Sequence, residues 1–515
     1  MEYFENFVAG ANAIIWSDVL IFFLMAVGTY FSIRMRFFQV RMIGEMVRLM
    51  MGGKKSAAGI SSFQALAVSL SGRVGTGNIA GVATAIFIGG PGAVFWMWLV
   101  AFLGASSAFI ESTLAQVYKR KEHGQYRGGP AYYIEKGIKS KKVGKIYAIV
   151  FAISTILATG FLLPGVQSNS IASAVSNAFN IEHSWTGVML VVMLGLIIFG
   201  GIRTIARVAE YVVPFMAIGY VGLAIAVAVI NYDQLPSIFG LIFSSAFGLN
   251  ATFGGLIGST ISMGVKRGVF SNEAGQGTGP HPAAAAEVSH PANQGLVQAF
   301  SVYIDTLFVC SATAFIILST GMYNVKGPGD DLIINNGVYY VQDGIRHYDG
   351  SAIYTQAAVD KALSGQENFD PGYQGLGSYT VAIALFFFAF TTLMAYYYIA
   401  ETNVAYLTRR RGGPLLMFLL KAGILTSVFV GCVKTAKLAW DLGDLGVGLM
   451  AWLNIIAILI LQKPALRCLK DYELQKKSGV EPVFDPHKLG IANAEFWESK
   501  SKQVPTEEVS ERRDL

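Results

Sequence analysis

The sequence predicts an all-α polytopic membrane protein with about eleven transmembrane helices, and three observations support this fold class. The 515 residues are 53% hydrophobic and only 14% charged, with a mean hydropathy of +0.49, whereas soluble domains carry roughly 25% charged residues. Lysine and arginine cluster between long apolar stretches, as they do in the cytoplasmic loops of membrane proteins. Two of the apolar stretches are interrupted by glycine and polar side chains, a pattern typical of broken membrane helices.

The first interrupted stretch is Ser69 to Ala93, which reads SLSGRVGTGNIAGVATAIFIGGPGA. It is long enough to enter a bilayer, but it contains three glycines between positions 72 and 77 and the polar side chains of Arg73, Thr76 and Asn78. Free backbone N–H and C=O groups are tolerated at membrane depth only where they line a protein or water cavity. The stretch therefore predicts a helix that opens its backbone to a small ligand.

A second interrupted stretch follows about two hundred residues later. Gly254 to Ala286 reads GGLIGSTISMGVKRGVFSNEAGQGTGPHPAAAA, which is apolar, then rich in glycine and polar residues, then helix-forming. Broken segments in corresponding positions of two halves indicate a secondary transporter with an inverted repeat.

The other spans divide into one extra helix and two sets of five. The extra span, Ile14 to Ile33, is followed by arginines at positions 34, 36, 41 and 48, so the positive-inside rule places the N-terminus outside and the C-terminus in the cytoplasm. Because five is odd, the second set has the opposite orientation to the first, as a 5+5 inverted repeat requires. The last span is Leu445 to Leu461. The predicted units are residues 1–58 (peripheral transmembrane helix and interfacial helix), 59–231 (first repeat), 232–462 (second repeat) and 463–515 (a partly disordered cytoplasmic tail).

Residues 322–377 form a long polar insertion between two spans that place it outside. A loop of this length is unusual without a role. Two interpretations stay open, a cap over the external mouth or a small decorating insertion.

Cysteine and charge exclude several other classes of protein. Cys310, Cys432 and Cys468 provide neither a disulfide framework nor a zinc-binding spacing. The net charge of +6 comes from clusters beside apolar spans, so it indicates a lipid bilayer as partner and not a nucleic acid.

Three strings resemble the alanine or glycine:cation symporter family. They are SLSGRVGTGNIAGVATAIFIGGPGAVFWMW at Ser69 to Trp98, RGGPAYYIEKG at Arg127 to Gly137, and GVFSNEAGQGTGPHPAAAAEVSHP at Gly268 to Pro291. That family is similar in architecture to leucine-transporter-type proteins, whose first core helix also carries a VGxGN break, here Val74 to Asn78. The resemblance implies a cell (inner) membrane symporter for alanine, glycine or a similarly small neutral amino acid, with sodium as the co-transported ion and no cofactor.

Both breaks offer groups that an amino acid needs. Backbone amides freed at the first break, aided by the positive end of a half-helix dipole, suit a carboxylate, and the opened backbone of the second break suits an ammonium group. The family pattern adds a polar amide in the third core span. The predicted substrate-binding residues are Thr76, Gly77, Asn78, Gln167, Phe270, Ser271 and Asn272.

Some of these residues also have purely structural interpretations. Gly77 and Gly81 have the spacing of close helix packing, and Gln167 could join two helices by a hydrogen bond. Phe270 could be an ordinary core residue, although an aromatic ring there would restrict the pocket to small side chains.

The predicted sodium site follows from the string FAFTT at Phe388 to Thr392. Sodium takes oxygen ligands, and a pair of adjacent hydroxyls at this place resembles the second sodium site of leucine-transporter-type proteins. The resemblance implies backbone oxygens of Ser71, Val74 and Phe388 with the side chains of Thr391 and Thr392. Alternatively, both threonines bond back to their own helix.

Charges within the apolar spans need partners, because an isolated charge there costs at least about 2.5 kcal/mol. Arg73 or Arg267 with Glu273 is one expected pair, while Lys266 and Glu111 are left without an assignment. Glu273 also keeps open a proton-coupled transporter as the alternative to sodium coupling.

An intramembrane hydrolase is the alternative from a different class of function. It would use Ser271 or Ser289 with His281 or His290, but no acidic residue at a recognisable spacing accompanies the histidines. We therefore predict a transporter and not an enzyme, with no catalytic residues.

Overall fold

The computed structural model is an almost entirely helical bundle, and it describes residues 2–51, 58–122, 124–329, 331–342, 345–347, 350–366, 369–370, 372–409 and 413–501. Its first half contains helices α1 Glu2–Ile15, α2 Asp18–Arg34, α3 Phe38–Arg41, α4 Ile43–Met50, α5 Ser62–Arg73, α6 Val82–Gly89, α7 Ala93–Val117, α8 Pro130–Gly137, α9 Lys141–Leu157, α10 Leu163–Phe179, α11 His183–Ile198 and α12 Gly201–Ile230. Its second half contains α13 Leu235–Ala246, α14 Ile257–Asn272, α15 Pro280–Ala285, α16 Pro291–Tyr303, α17 Ser311–Thr320, α18 Ala352–Ser364, α19 Leu376–Leu407, α20 Gly413–Val433, α21 Ala436–Lys477 and α22 Glu495–Ser501.

Short elements complete the described chain. The strands are β1 Arg120–Glu122, β2 Gln125–Arg127, β3 Asn324–Lys326, β4 Leu332–Asn335, β5 Tyr340–Gln342 and β6 Ile345–His347, which form three antiparallel pairs in chain order. The π-helical turns are Gly77–Gly81, Ala158–Leu162 and Ile304–Cys310, and the 3₁₀ turns are Tyr232–Gln234 and Gly254–Leu256.

Seven helical segments of the described chain are long and apolar enough to cross a membrane, or eight if α1 and α2 form one span bent by 41°. The protein is therefore a multi-pass membrane protein. The bend falls at Trp16 and Ser17, inside the predicted first span, because α2 begins afresh after Ser17.

Both predicted broken segments contain interruptions. Helix α5 ends at Arg73, and the chain resumes as a π-helical turn that leads into α6. Helix α14 ends where Glu273 adopts a φ of 55°, and Gly275 and Gly277 follow with φ of 81° and 87° before α15. Glycine adopts positive φ without a steric penalty, so these residues let the chain leave the helix.

The start of α5 is joined to the end of α15. Ile60 N–H donates to the Ala285 carbonyl at 3.0 Å, and Glu287 N–H donates to the Ile60 carbonyl at 2.9 Å. The two interrupted segments therefore share a backbone connection on one side of the bundle.

The insertion at 322–377 contains the strands β3 to β6 and the helix α18, whose residues Ala352–Asp360 are buried. The Asp360 carboxylate accepts hydrogen bonds from the backbone of Gly375, Gly377 and Ser378 at 2.7 to 3.1 Å, which fixes the start of α19. Helix α18 of the insertion is thus packed into the bundle like the neighbouring spans.

The C-terminal part differs from the expected tail. Helix α21 runs from Ala436 to Lys477 and passes through the predicted boundary at 462 without ending. Beyond it the chain folds back onto the bundle, where Phe484 and Trp497 are buried and Trp497 Nε1–H donates to the Gln116 carbonyl at 2.8 Å. Apolar side chains at these positions explain the ordered return, whereas the rest of the predicted tail, 502–515, lies outside the described residues.

Candidate functional site

At the first break, two backbone amides leave the helical hydrogen-bond pattern and donate to side chains instead. Val74 N–H makes the last regular bond of α5. Gly75 N–H then donates to Asn78 Oδ1 at 2.8 Å, and Thr76 N–H donates to Gln167 Oε1 at 3.0 Å. All five residues are buried. A substrate carboxylate brings the same kind of acceptor that the two side chains now supply.

Gly75 is the point where three helices meet. A Cβ atom at this position would lie closer than 3.0 Å to Thr392 Oγ1 of α19 and 2.9 Å from Gln167 Oε1 of α10. At Gly77 a Cβ atom would lie 3.0 Å from Ser271 Cα of α14. The predicted substrate residues Gln167 and Ser271 and the predicted sodium residue Thr392 therefore all adjoin the segment Gly75–Gly77.

Phe270, Ser271 and Asn272 form the last turn of α14 and are not themselves in an opened backbone. The last carbonyl groups of a helix lack intrahelical amide partners and carry the negative end of the dipole. Acceptors for an ammonium group are thus available in this turn. They are the terminal carbonyls of a regular helix and not, as expected, those of an opened backbone.

The freed amides of the second break lie farther along the chain. Gly275 and Gly277 N–H point to the Glu111 carboxylate of α7, at 3.4 and 3.2 Å, and Asn454 Nδ2–H donates to the same carboxylate at 2.6 Å. Glu111 therefore holds the second break in its opened form.

Asp305 was not singled out from the sequence. Its buried carboxylate accepts from Asn78 Nδ2–H at 2.6 Å, from Ser271 Oγ–H at 3.0 Å and from Thr306 Oγ1–H at 2.8 Å. It thereby joins the first break, α14 and the π-helical turn of the next span. A lone carboxylate inside an otherwise apolar span was the signal that could have found it.

The cations near the second break pair differently from expectation. Arg267 Nη2 and Lys266 Nζ both lie against Asp444 Oδ2 of α21, at 2.6 and 2.7 Å, so Arg267 is not paired with Glu273. The guanidinium carbon of Arg267 lies 4.5 Å from the Trp440 ring centroid, and the Trp440 and Phe270 ring centroids are 5.0 Å apart. An aromatic and ionic wall therefore encloses the Phe270 side of the site.

Arg73 makes its hydrogen bonds to α16. Its guanidinium donates to the Gln298 carbonyl at 3.1 Å and to Ser301 Oγ. Glu273 accepts from Thr278 Oγ1–H at 2.8 Å. The expected Arg73–Glu273 pair therefore does not form a direct salt bridge among the described residues.

Of the two threonines of the predicted sodium site, Thr392 lies beside the first break. Thr391 and Thr392 hydroxyls donate to the Phe388 carbonyl at 2.9 and 3.0 Å, which is the back-bonded arrangement weighed as the alternative. A hydroxyl that donates one hydrogen bond keeps lone pairs that can bind a cation. Thr392 Oγ1 also borders Gly75, so this hydroxyl faces the segment that carries Ser71 and Val74. Thr391 Oγ1 lies 3.9 Å from Met216 Sδ of α12 instead.

The histidines of the hydrolase hypothesis serve other purposes. His281 Nε2 lies 2.8 Å from Asn403 Nδ2, and His290 Nδ1 accepts from Ala292 N–H at the start of α16. Ser271 bonds to Asp305 and not to a histidine. Interrupted membrane helices whose breaks adjoin one another at the centre of the bundle are typical of a membrane transporter.

A solved structure shares this fold. The fold is similar to that of a crystallised manganese transporter of Eremococcus coleocola, with a TM-score of 0.50 and 13% sequence identity over 82% of this chain and 88% of that chain. At this identity the likeness concerns the fold alone.

The chain belongs to the sodium:alanine symporter family, whose profile matches residues 1–486. Membership makes it a cation-coupled alanine symporter and not an enzyme. It is 60% identical to a putative sodium/proton-dependent alanine carrier protein of Bacillus subtilis over 96% of this chain and 98% of the relative. It is 41% identical to a probable sodium/glutamine symporter of the same organism, over 98% of each.

Proposed function

We propose that this protein imports alanine, or a similarly small neutral amino acid such as glycine, together with sodium by alternating access. The observation that carries the proposal is the position of Gly75, which adjoins Gln167 on the substrate side and Thr392 on the ion side. Gly75 lies between the proposed substrate site and the proposed sodium site. Binding of the ion therefore orders the backbone at Gly75 that receives the substrate. Phe270 and Trp440 support a small substrate, because their rings restrict the pocket.

The substrate carboxylate is proposed to take the amides of the first break, and the ammonium group the carbonyl oxygens that end α14. Asn78 contributes its Oδ1 to holding Gly75, and its amide is fixed by Asp305. The proposed substrate-binding set remains Thr76, Gly77, Asn78, Gln167, Phe270, Ser271 and Asn272.

Sodium is proposed to lie between the carbonyl oxygens of Ser71, Val74 and Phe388 and the hydroxyls of Thr391 and Thr392. Support comes from the end of regular helix bonding at Val74, since Gly75 N–H turns to Asn78. Carbonyls released in this way are suitable ligands for a monovalent cation.

The eleven spans, the 5+5 inverted repeat and its boundaries at 59–231 and 232–462 are also proposals. So are an external N-terminus, a cytoplasmic C-terminus and a location in the cell membrane. The paired breaks in α5–α6 and α14–α15 support the repeat, and the arginines that follow α2 support the orientation.

Uptake of labelled L-alanine into proteoliposomes tests the function directly. The purified protein is given either an imposed sodium gradient or an imposed proton gradient, with unlabelled glutamine as a competitor in parallel. We expect concentrative uptake with sodium alone and little competition by glutamine. Uptake driven only by protons would establish the alternative suggested by the names of the sodium/proton-dependent relatives, and no uptake with either gradient would refute the assigned substrate.

Replacing both threonines of the proposed ion site should weaken sodium coupling. In Thr391→Val with Thr392→Val, the hydroxyl oxygens are lost at nearly constant volume, and the sodium concentration for half-maximal uptake should rise about tenfold or more. Thr402→Val is the matched control. Thr402 is also a buried threonine of α19 whose hydroxyl donates to a carbonyl of its own helix, that of Tyr398, but it lies about three turns away from Thr392. An unchanged sodium response in the double variant would move the ion elsewhere.

A further inference from the structure

A basic cavity of about 630 Å³ lies at one end of the bundle, away from the two breaks. Three parts of the chain form most of its lining: the connection from α8 to α9, the C-terminal half of α21, and the returning segment 490–495. Tyr118, which directly follows α7, completes it. None of the proposed substrate or sodium residues lines it.

The cavity, which we name the basic cavity, carries more positive charge than its own carboxylates can neutralise. Its two acidic residues are engaged, since Glu135 pairs with Arg409, and Glu495 pairs with Arg120 and Lys136. The lining lysines that form no ion pair with any described residue are Lys139, Lys141, Lys145 and Lys463.

The remaining cation of the lining has a structural task. Arg467 Nη1–H donates to the carbonyls of Leu489 and Gly490 at 3.1 and 2.9 Å, and Asn493 Nδ2–H donates to the Lys136 carbonyl at 3.0 Å. These bonds hold the returning segment in place as one wall of the basic cavity. The site is therefore built from long-range contacts, unlike a row of lysines on one loop.

Its level in the membrane can be read from the helices. Lys141 begins α9, whose apolar run follows directly, and Lys463 comes just after the apolar run of α21 ends at Leu461. Two spans thus leave the hydrocarbon at the basic cavity, which places its lysines where lipid phosphates lie.

We infer that the basic cavity binds an anionic phosphate ester, with the headgroup of an anionic phospholipid as its source in the membrane. Lysine clusters between membrane helices attract such headgroups, and each lysine near the surface contributes to binding. The ligand neutralises the unpaired lysines and bridges α9, α21 and the returning segment. This inference does not depend on the proposed substrate or on the proposed orientation.

Lipid binding to the purified full-length protein in detergent micelles tests the inference. Phosphatidylglycerol, phosphatidylcholine and soluble glycerol 3-phosphate are titrated separately, and bound ligand is counted by native mass spectrometry. We expect saturable binding of phosphatidylglycerol at least about tenfold tighter than that of phosphatidylcholine. Glycerol 3-phosphate binding as tightly as phosphatidylglycerol would support the phosphate site and assign its source to a soluble ester.

The variant Lys141→Gln with Lys145→Gln should bind phosphatidylglycerol about twenty-five-fold more weakly, at about fivefold for each lysine. Its matched control is Lys121→Gln with Lys142→Gln, which removes the same charge from exposed positions that do not line the basic cavity. All four lysines are exposed, so both variants should fold.

Two results would overturn the inference. One is equal binding of phosphatidylglycerol and phosphatidylcholine without binding of glycerol 3-phosphate. The other is an equal loss of phosphatidylglycerol binding in both double variants, since this would show attraction to overall surface charge and not to the basic cavity.

Discussion

Alanine in place of Gly75 should reduce uptake by about ten- to hundredfold, because forcing a methyl group into a filled space costs about 1–3 kcal/mol. The added Cβ would lie closer than 3.0 Å to Thr392 Oγ1 and 2.9 Å from Gln167 Oε1, so it would separate the residues of the two proposed sites. Initial rates of labelled alanine uptake in proteoliposomes measure the loss. Sodium dependence should weaken in the same variant, since Thr392 belongs to the ion site.

A glycine of the same broken segment supplies the control. At Gly81 the nearest atoms to an added Cβ are in the Trp440 ring at 3.7 Å and the Thr76 carbonyl at 3.8 Å, which is ordinary van der Waals contact. Gly81→Ala should therefore keep nearly full uptake. If the two variants transported equally well, the close approach at Gly75 would have no role in transport.

The second large effect is expected for Asp444→Asn. Asp444 is the buried carboxylate that both Arg267 and Lys266 contact, so its neutralisation leaves two cations without their counter-ion. Removing one partner of a buried ion pair costs about 3–5 kcal/mol. We expect the free energy of unfolding, measured by denaturant titration in micelles, to fall by that amount. Uptake should fall as well, because Arg267 stacks on the Trp440 ring beside Phe270.

Asp441→Asn is the matched control on the same helix. Asp441 pairs at 2.9 Å with Lys437, whose side chain is 74% exposed, and such surface pairs contribute only about 0–1 kcal/mol. Its stability and uptake should remain close to those of the unmodified protein. A similar loss in both variants would show that the charge of α21 as a whole, and not the buried cluster, stabilises the fold.

Much of the fold follows from local sequence features. Long apolar runs separated by basic clusters predict membrane helices, since a bilayer admits only backbone that satisfies its own hydrogen bonds. Glycine and polar residues within Ser69–Ala93 and Gly254–Ala286 predict interruptions, because they weaken a helix locally. The second opening was expected around Phe270–Asn272, but the helix continues through Asn272 and opens only from Glu273. The family resemblance at Ser69–Trp98 and Gly268–Pro291 led to the transporter class, which the family profile confirms.

The partners of the buried charges could not be predicted in the same way. Arg267 pairs with Asp444, 177 positions away in the sequence, and Glu111 receives the amides of Gly275 and Gly277 from another helix. Glu273, the partner expected from the sequence, is nearer in the chain but accepts a hydrogen bond from Thr278. Proximity in the chain is a poor guide where helices pack side by side.

The sequence by itself determined that this chain is a polytopic helical transporter with two glycine-rich interruptions, because hydropathy and glycine act locally on the backbone. Only the tertiary structure decided that Asp305 joins Asn78 and Ser271, and that the segment after α21 folds back until Trp497 bonds to Gln116 of α7. Such contacts depend on the positions that distant helices take when they pack, and packing responds to the shape and charge of all neighbours at once. No pattern within a single stretch records that information.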